Sequence, residues 1–389
     1  MIRDAYILAG GSGTRLKSYT DRPKSLLKIY EEPFILDLLK WCILNQLLNI
    51  KIIIAKHQTK IFETELENYS ELGFLRKIKI ELIEEDQKMG TAGWLLKNIN
   101  HLPEQFILMN ADTYYFENVI NDIYKASLSS YSVIFGYEEN IRKDSGFIKL
   151  DENNLVTSFN EKIVISKISS SGCYVIKRNH LQKIKNHISP MQENISLEEE
   201  VFPILCNEKL LKCFPKTFNK IYDFGTLSRI EKAKKFIKKN QFKWLFVDRD
   251  NTLNVDKGGY THKVKDLKII EKIIPLLKGY QEDGFFICIC TNQSGISRNY
   301  YSEKNMKKFN NFLIKKLEKN YKLFISELVF CPHHPEQNCP CRKPKTGMID
   351  SIEKNYSIDF QKSIIIGDAE SDENLAKNVG ITFFRFREF

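Results

Sequence analysis

Lys243-Trp244-Leu245-Phe246-Val247-Asp248-Arg249-Asp250-Asn251-Thr252-Leu253 is an apolar run that stops at two carboxylates one residue apart. Such a run reads as a strand of a parallel sheet, buried on both faces. Asp248 and Asp250 then stand at the carboxyl edge of that sheet, where α/β proteins build their sites. The pattern recurs downstream. Phe285 to Cys290 ends in Thr291-Asn292-Gln293-Ser294-Gly295, and Ser363 to Ile366 ends in Gly367-Asp368-Ala369-Glu370-Ser371-Asp372. Three strand ends therefore offer carboxylate, hydroxyl and carboxylate.

That set suits phosphoryl transfer. Asp248 is placed to attack phosphorus and carry an aspartyl-phosphate. Asp250 is placed to protonate the leaving oxygen and then to activate water. Thr291 is expected to hold a phosphoryl oxygen. Asp368 and Asp248, with Asp250 and Asp372 close to them in sequence, offer the hard oxygens that Mg²⁺ takes. Between the second and third strands lies Cys331-Pro332-His333-His334-Pro335-Glu336-Gln337-Asn338-Cys339-Pro340-Cys341-Arg342-Lys343-Pro344. Cys331, Cys339 and Cys341 with His333 or His334 make four ligands suited to tetrahedral Zn²⁺, a closed and therefore structural set. Arg342 and Lys343 follow at once, so the loop presents cations to an anionic substrate. Lys343 is expected to neutralise charge on the phosphoryl oxygens.

In these motifs, over residues 242–389, the chain resembles the haloacid-dehalogenase-like (HAD-like) phosphatases. It is most similar to their zinc-loop branch of D-glycero-D-manno-heptose 1,7-bisphosphate phosphatases and histidinol-phosphate phosphatases. The resemblance rests on Asp248-Arg249-Asp250, Gly259-Tyr260, Thr291 to Ile296 with Arg298, the Cys/His loop, Arg342-Lys343-Pro344 and Gly367-Asp368. It implies Cys331, His333, Cys339 and Cys341 as zinc ligands, Asp248, Asp250 and Asp368 at Mg²⁺, and substrate contacts from Asn292, Gln293, Ser294, Arg298 and Arg342. Asn251 and Ala369 depart from the family, which has Gly at the first position and Lys or Arg at the second.

The other half opens with an apolar strand, Met1 to Leu8, followed by Ala9-Gly10-Gly11-Ser12-Gly13-Thr14-Arg15-Leu16. Glycines let the backbone approach phosphates and present N–H groups to them. Arg15 adds a bidentate phosphate clamp, and Lys24 a second cation. The loop is neither a Walker sequence nor a dinucleotide fingerprint. Phe106 to Met109 is another buried strand, leading through Asn110 and Ala111 to Asp112. Gly90-Thr91-Ala92-Gly93, Phe159-Asn160-Glu161-Lys162, Ser170-Ser171-Gly172-Cys173-Tyr174, Ser196-Leu197-Glu198 and Tyr222-Asp223-Phe224-Gly225 complete the series.

In that order these motifs resemble the sugar-phosphate nucleotidyltransferases over residues 1–235, and in finer detail the heptose 1-phosphate and mannose-1-phosphate guanylyltransferases. The resemblance implies in-line attack of a sugar 1-phosphate on a nucleoside triphosphate, with the enzyme positioning reactants and neutralising charge. Asp112 and Asp223 are its Mg²⁺ carboxylates. Arg15 and Lys24, with Gly10, Gly11, Gly13 and Thr14, hold the triphosphate. Gly90 and Gly93 shape the base pocket. Lys162 meets the sugar phosphate, and Glu161, Gly172 and Glu198 the sugar.

The expected fold class is α/β, with two Rossmann-like domains whose sheets are mainly parallel: a GT-A-like nucleotidyltransferase fold over 1–235 and a HAD-like fold with a zinc loop over 242–389. A basic helix, Glu231 to Lys239, is expected to close the first. The 389 residues carry a net charge of +10. The lysines are scattered and not grouped with aromatics, and both substrates are polyanions, so no nucleic-acid partner is expected. Six cysteines outside the loop lie mostly in apolar runs, as reduced core thiols do. The chain opens without a leader pattern and holds no membrane-length apolar run, so a cytoplasmic protein with no membrane partner is expected. No feature sets an oligomeric state.

The two activities are consecutive. Removing the 7-phosphate of a heptose 1,7-bisphosphate leaves a 1-phosphate, which the other half consumes with a nucleoside triphosphate, GTP favoured. A bifunctional enzyme making a nucleotide-activated heptose for surface glycans is the leading expectation. The alternative is a mannose-1-phosphate or other sugar-1-phosphate nucleotidyltransferase fused to a histidinol-phosphatase-like or non-catalytic HAD-like domain.

Overall fold

The computed structural model describes residues 1–11, 16, 20–138, 146–160, 164, 166–189, 192, 194–239, 241–256 and 258–387. The chain divides into two compact units: Met1–Tyr115 with Val119–Lys239, and Phe116–Asn118 with Asn240–Phe389.

In the first unit, the strands are β1 (Asp4–Leu8), β2 (Asn49–Ala55), β3 (Lys79–Glu85), β4 (Gln105–Asn110), β5 (Thr113–Tyr114), β6 (Ser132–Glu138), β7 (Phe147–Leu150), β8 (Val156–Asn160), β9 (Ile168–Lys177), β10 (Leu211–Phe214) and β11 (Tyr222–Asp223). The main sheet runs β10-β6-β9-β4-β1-β2-β3, and β7 pairs with β8 and β9. β1, β2, β3 and β4 are mutually parallel, so their carboxyl ends share one edge. β9 runs antiparallel to both β4 and β6, so the sheet is mixed where a mainly parallel one was expected. The run Phe106 to Met109 is buried on both faces. Phe106 and Leu108 join a core with Tyr174, Phe202 and Leu205. Met109 meets Cys42 of the helix Phe34–Leu44, 3.8 Å away, on the other face. Each such burial stabilises the fold by roughly 1.5–3 kcal/mol.

The second unit is a parallel sheet with the order β14 (Glu327–Cys331), β13 (Phe286–Asn292), β12 (Trp244–Val247), β15 (Ile364–Gly367) and β16 (Thr382–Arg385). All four residues of β12 are buried, as a central strand covered on both faces requires. The chain steps from β12 to β13 and β14, then returns to the other side of β12. That reversal puts a crevice at the carboxyl end of β12, just where Asp248 begins. The basic helix starts four residues ahead of its expected bound, at Leu227. Among the described residues no helix is long and apolar enough to cross a membrane.

Candidate active sites

At the carboxyl edge of the second sheet, β12 delivers Asp248, β13 delivers Thr291 and β15 delivers Asp368. The Asp248 N–H donates to Ile366 O at 2.9 Å, which fixes the loop after β12 against β15. Carboxylate oxygens of Asp248, Asp368 and Asp372 all lie within 4.8 Å of one another. Lys343 reaches between them from the Cys/His loop. Its Nζ stands 2.5 Å from Asp248 Oδ1 and 2.6 Å from Asp372 Oδ1, and it donates to Cys290 O at 2.9 Å. Asn292 holds that lysine in place: its Oδ1 accepts from Lys343 N and its Nδ2 donates to Lys343 O.

Burial pushes the Asp248 carboxyl up to about 7, although Lys343 beside it pulls the other way. Burial pulls the Lys343 ammonium down, but Asp248 and Asp372 more than offset this and hold it charged. Burial, then Asp372, raises Asp368 as well. One ammonium thus faces three crowded carboxylates. The excess negative charge in a desolvated cleft fits a bound divalent cation.

Asp250 was expected among the metal ligands, but its carboxylate is not in this set. It accepts from Arg249 Nε and Nη2, from Asn254 Nδ2 and, at 2.9 Å, from Gln293 Nε2. Asp372 takes the place in the cluster. The reason is geometric: the fully buried Arg249, itself held by Asn310 Oδ1 and Thr261 O, draws Asp250 toward itself. Gln293 also donates to Thr291 Oγ1 and accepts from Tyr301 OH, so it acts as a brace. Ser294 is buried, Arg298 is exposed, and Arg342 keeps its Nη1 buried without a described partner.

Both family departures have a structural setting. Asn251 has φ +58°, the left-handed conformation that Asn tolerates better than other residues except Gly. Its Oδ1 also accepts from Asp256 N. Ala369 donates its N–H to Asp372 Oδ2 at 3.2 Å and brings no cation. Arg385 of β16 donates to Asp368 O at 3.1 Å, one residue away.

In the Cys/His loop, Cys331 Sγ lies 3.5 Å from Cys339 Sγ and 3.6 Å from His333 Nδ1. Cys341 Sγ lies 3.2 Å from His333 Nδ1 and 3.6 Å from Cys339 Sγ. These four side chains form a metal-sized group, with ligand atoms all within 4.8 Å of one another. His334 is not in it. Its side chain caps the turn Pro335–Gln337 by accepting from Glu336 N.

In the first unit, a cavity of about 360 Å³ opens along the carboxyl ends of β1, β3 and β4. Gly10, Gly11, Lys24, Gly90, Asp112 and Glu198 all line it. Lys24 Nζ pairs with Asp112 Oδ2 at 3.2 Å. Asp223 is brought beside Asp112 by backbone pairing: β11 faces β5 across Asp223 and Thr113, and Phe224 N–H donates to Asp112 O. Asp223 Oδ1 accepts from Arg229 Nη1 at 3.0 Å. Ala111 has no positive φ, so a glycine is not needed there.

Gly90 does need to be glycine. Its φ is +72°, and a Cβ would lie 2.3 Å from Ile195 O. This close approach lets Leu197 N–H donate to Thr91 Oγ1 and Thr91 Oγ1 donate to Glu198 Oε2, at 2.7 and 3.0 Å. Burial raises the Glu198 carboxyl above its usual range, while Thr91, Ser196 and Tyr174 moderate the rise. Gly172 has φ +76° and packs against the Asn110 side chain. Gly93 is buried at the start of the helix Gly93–Lys97, outside the cavity wall. Gly13, Thr14, Arg15, Glu161 and Lys162 lie outside the described residues.

Fold and side-chain sets together define an α/β enzyme with a phosphate-handling site in each unit. The nucleotidyl transferase family profile matches residues 4–240, and that of polynucleotide kinase 3 phosphatase matches residues 243–389. The second unit is 44% identical over 142 residues to a probable D-glycero-D-manno-heptose-1,7-bisphosphate 7-phosphatase of Thermoplasma volcanium, covering 36% of this chain and 96% of that protein. It is 37% identical over 145 residues to D-glycero-beta-D-manno-heptose-1,7-bisphosphate 7-phosphatase of Haemophilus ducreyi, covering 36% and 79%. The first unit resembles the crystal structure of HddC from Yersinia pseudotuberculosis, with TM-score 0.50 and 25% identity over 60% of this chain and 99% of that one. The chain belongs to the nucleotidyl transferase family and carries a HAD-like phosphatase as its second unit. It is an enzyme with transferase and phosphatase activities, acting on nucleotide and sugar phosphate substrates.

Proposed function

We propose that the second unit removes the 7-phosphate of D-glycero-D-manno-heptose 1,7-bisphosphate, and that the first unit joins the resulting heptose 1-phosphate to a nucleotidyl group, taken preferentially from GTP. Asp248 attacks the 7-phosphorus, the sugar oxygen leaves with a proton from Asp250, and water activated by Asp250 then releases phosphate. Lys343 neutralises the phosphoryl oxygens, while Asn292 and Gln293 set the positions of Lys343 and Asp250. In the first unit a 1-phosphate oxygen attacks the α-phosphorus of the triphosphate and pyrophosphate leaves. Lys24 and Arg15 hold the phosphates, and Glu198 and Gly172 border the sugar. Mg²⁺ at Asp248 and Asp368, and at Asp112 and Asp223, supplies charge neutralisation when bound. Zn²⁺ at Cys331, His333, Cys339 and Cys341 holds the loop that carries Lys343.

The observation that carries this reading is the buried cluster of Asp248, Asp368, Asp372 and Lys343 in a unit 44% identical to a heptose bisphosphate phosphatase. Its test is stepwise. With heptose 1,7-bisphosphate, GTP and Mg²⁺, the chain is expected to release phosphate, then pyrophosphate, and form a nucleotide heptose. Asp248→Asn stops all three from the bisphosphate but leaves pyrophosphate release from heptose 1-phosphate. Asp112→Asn does the reverse, releasing phosphate without pyrophosphate. Absence of both phosphate release and a nucleotide heptose from the unaltered chain overturns the reading.

A further inference from the structure

Every described side chain that hydrogen-bonds Asp250 presents an N–H to it. Arg249 Nη2 reaches both carboxylate oxygens, at 2.8 and 2.7 Å, and Arg249 Nε adds a contact at 3.0 Å. Asn254 Nδ2 donates to Oδ1 at 3.1 Å, and Gln293 Nε2 to Oδ2 at 2.9 Å. Asn254 holds this orientation at a cost. Its Nδ2 serves both Asp250 and Val255 O, while its Oδ1 is buried without a partner among the described residues. The Asp250 side chain is 20% exposed, so one face stays open at the strand end.

An arginine can only donate, but an amide can turn over. Reversed, Gln293 would set Oε1 beside Asp250 and offer an acceptor to any proton that carboxyl holds. The far side of the amide decides against this. Tyr301 OH stands 2.7 Å from Gln293 Oε1. Burial pushes the Tyr301 hydroxyl up to about 12, so it keeps its proton and donates. Packing fixes the ring: it is 6% exposed, stacks on His262 with centroids 4.5 Å apart, and lies where a Cβ on Gly295 would come within 2.3 Å. The second amide hydrogen of Gln293 goes to Thr291 Oγ1 at 2.8 Å. Thr291 thus accepts inside the protein and keeps its own hydrogen for a phosphoryl oxygen.

Building on the acid role given to Asp250 above, we propose that Tyr301 is a positioning residue that sets the direction of this hydrogen-bond chain. Its O–H holds the Gln293 amide with both N–H groups toward Asp250 and Thr291. In the first step the bond from Asp248 oxygen to phosphorus forms as the bond from sugar oxygen to phosphorus breaks. The leaving oxygen takes the Asp250 proton. Surrounded by donors, that proton meets no acceptor among the described residues and is delivered to the leaving oxygen. The same N–H groups then hold the carboxylate that remains. Water attacking the aspartyl-phosphate later returns a proton to Asp250.

The test compares two leaving groups on the full chain with Mg²⁺: heptose 1,7-bisphosphate, whose alkoxide needs a proton, and para-nitrophenyl phosphate, whose phenolate leaves without one. The readout is kcat/KM for each, which covers only the steps up to the aspartyl-phosphate, and the ratio between them. Asp250→Asn is expected to lower that ratio by about 10²-fold or more. Tyr301→Phe keeps the ring and loses only the hydroxyl; it is expected to lower the ratio by roughly 3- to 10-fold. Gln293→Glu, which places acceptors on both sides, lowers it further. In an Asp250→Asn background, Tyr301→Phe leaves the ratio where it was. Each ratio is internal to one sample, so partial unfolding does not blur it. An unchanged ratio in both Tyr301→Phe and Gln293→Glu, or a further fall in the double variant, overturns this proposal alone. An unchanged ratio in Asp250→Asn overturns the acid role of Asp250 and this proposal with it.

Discussion

Lys343 leaves 3% of its side chain exposed between Asp248 and Asp372, which expose 9% and 2%. Removing one member of a buried ion pair leaves a charge without compensation and costs about 3–5 kcal/mol. Lys343→Met is therefore expected to lower the stability of the second unit by about that amount in urea denaturation, and to cut phosphate release by at least about 10²-fold. Retained activity would show that the lysine is not at the reaction centre. Asn251 poses the opposite case. At φ +58° a glycine is relaxed and a β-branched residue is not. Asn251→Gly should leave phosphate release nearly unchanged, whereas Asn251→Val should cost about 1–2 kcal/mol. In this conformation Asn251 keeps the turn after Asp248.

The Cys/His loop is the element with a side-chain group that could hold a metal ion. Three thiols and an imidazole stand at 3.2–3.6 Å separations. The ligands lie on the same stretch that carries Lys343 into the cleft. A strong chelator is expected to strip about one zinc per chain by elemental analysis and to lower the first thermal transition. Phosphate release should fall with the zinc and not recover on adding Mg²⁺ alone. Full activity in zinc-free protein would refute a structural role. In the first unit the Gly90–Glu198 contacts form a comparable local lock. Gly90→Ala forces a Cβ against Ile195 O and is expected to abolish pyrophosphate release, while phosphate release from the same chain persists.

Across the whole molecule, two α/β units each put their charged side chains at the carboxyl ends of parallel strands. β12, β13 and β15 were legible because each is a continuous apolar run that ends abruptly in polar residues, and burial on both faces leaves no other pattern. β1 and β4 were legible for the same reason. β9 was not recognised as antiparallel, because its buried residues look the same whichever way the strand runs. The sequence by itself determined the α/β class, the strand ends that bear Asp112, Asp248, Thr291 and Asp368, and the ligand spacing of Cys331 to Cys341. Periodicity and local spacing are enough for those. Only the tertiary structure decided that Asp372 joins the carboxylate cluster while Arg249 draws Asp250 away, and that Asn292 and Gln293 brace neighbouring groups. These depend on residues far apart in the chain meeting in space, as Asp248 meets Asp372 and as Asn310 holds Arg249 against Asp250, so distance and desolvation, not sequence order, set the chemistry.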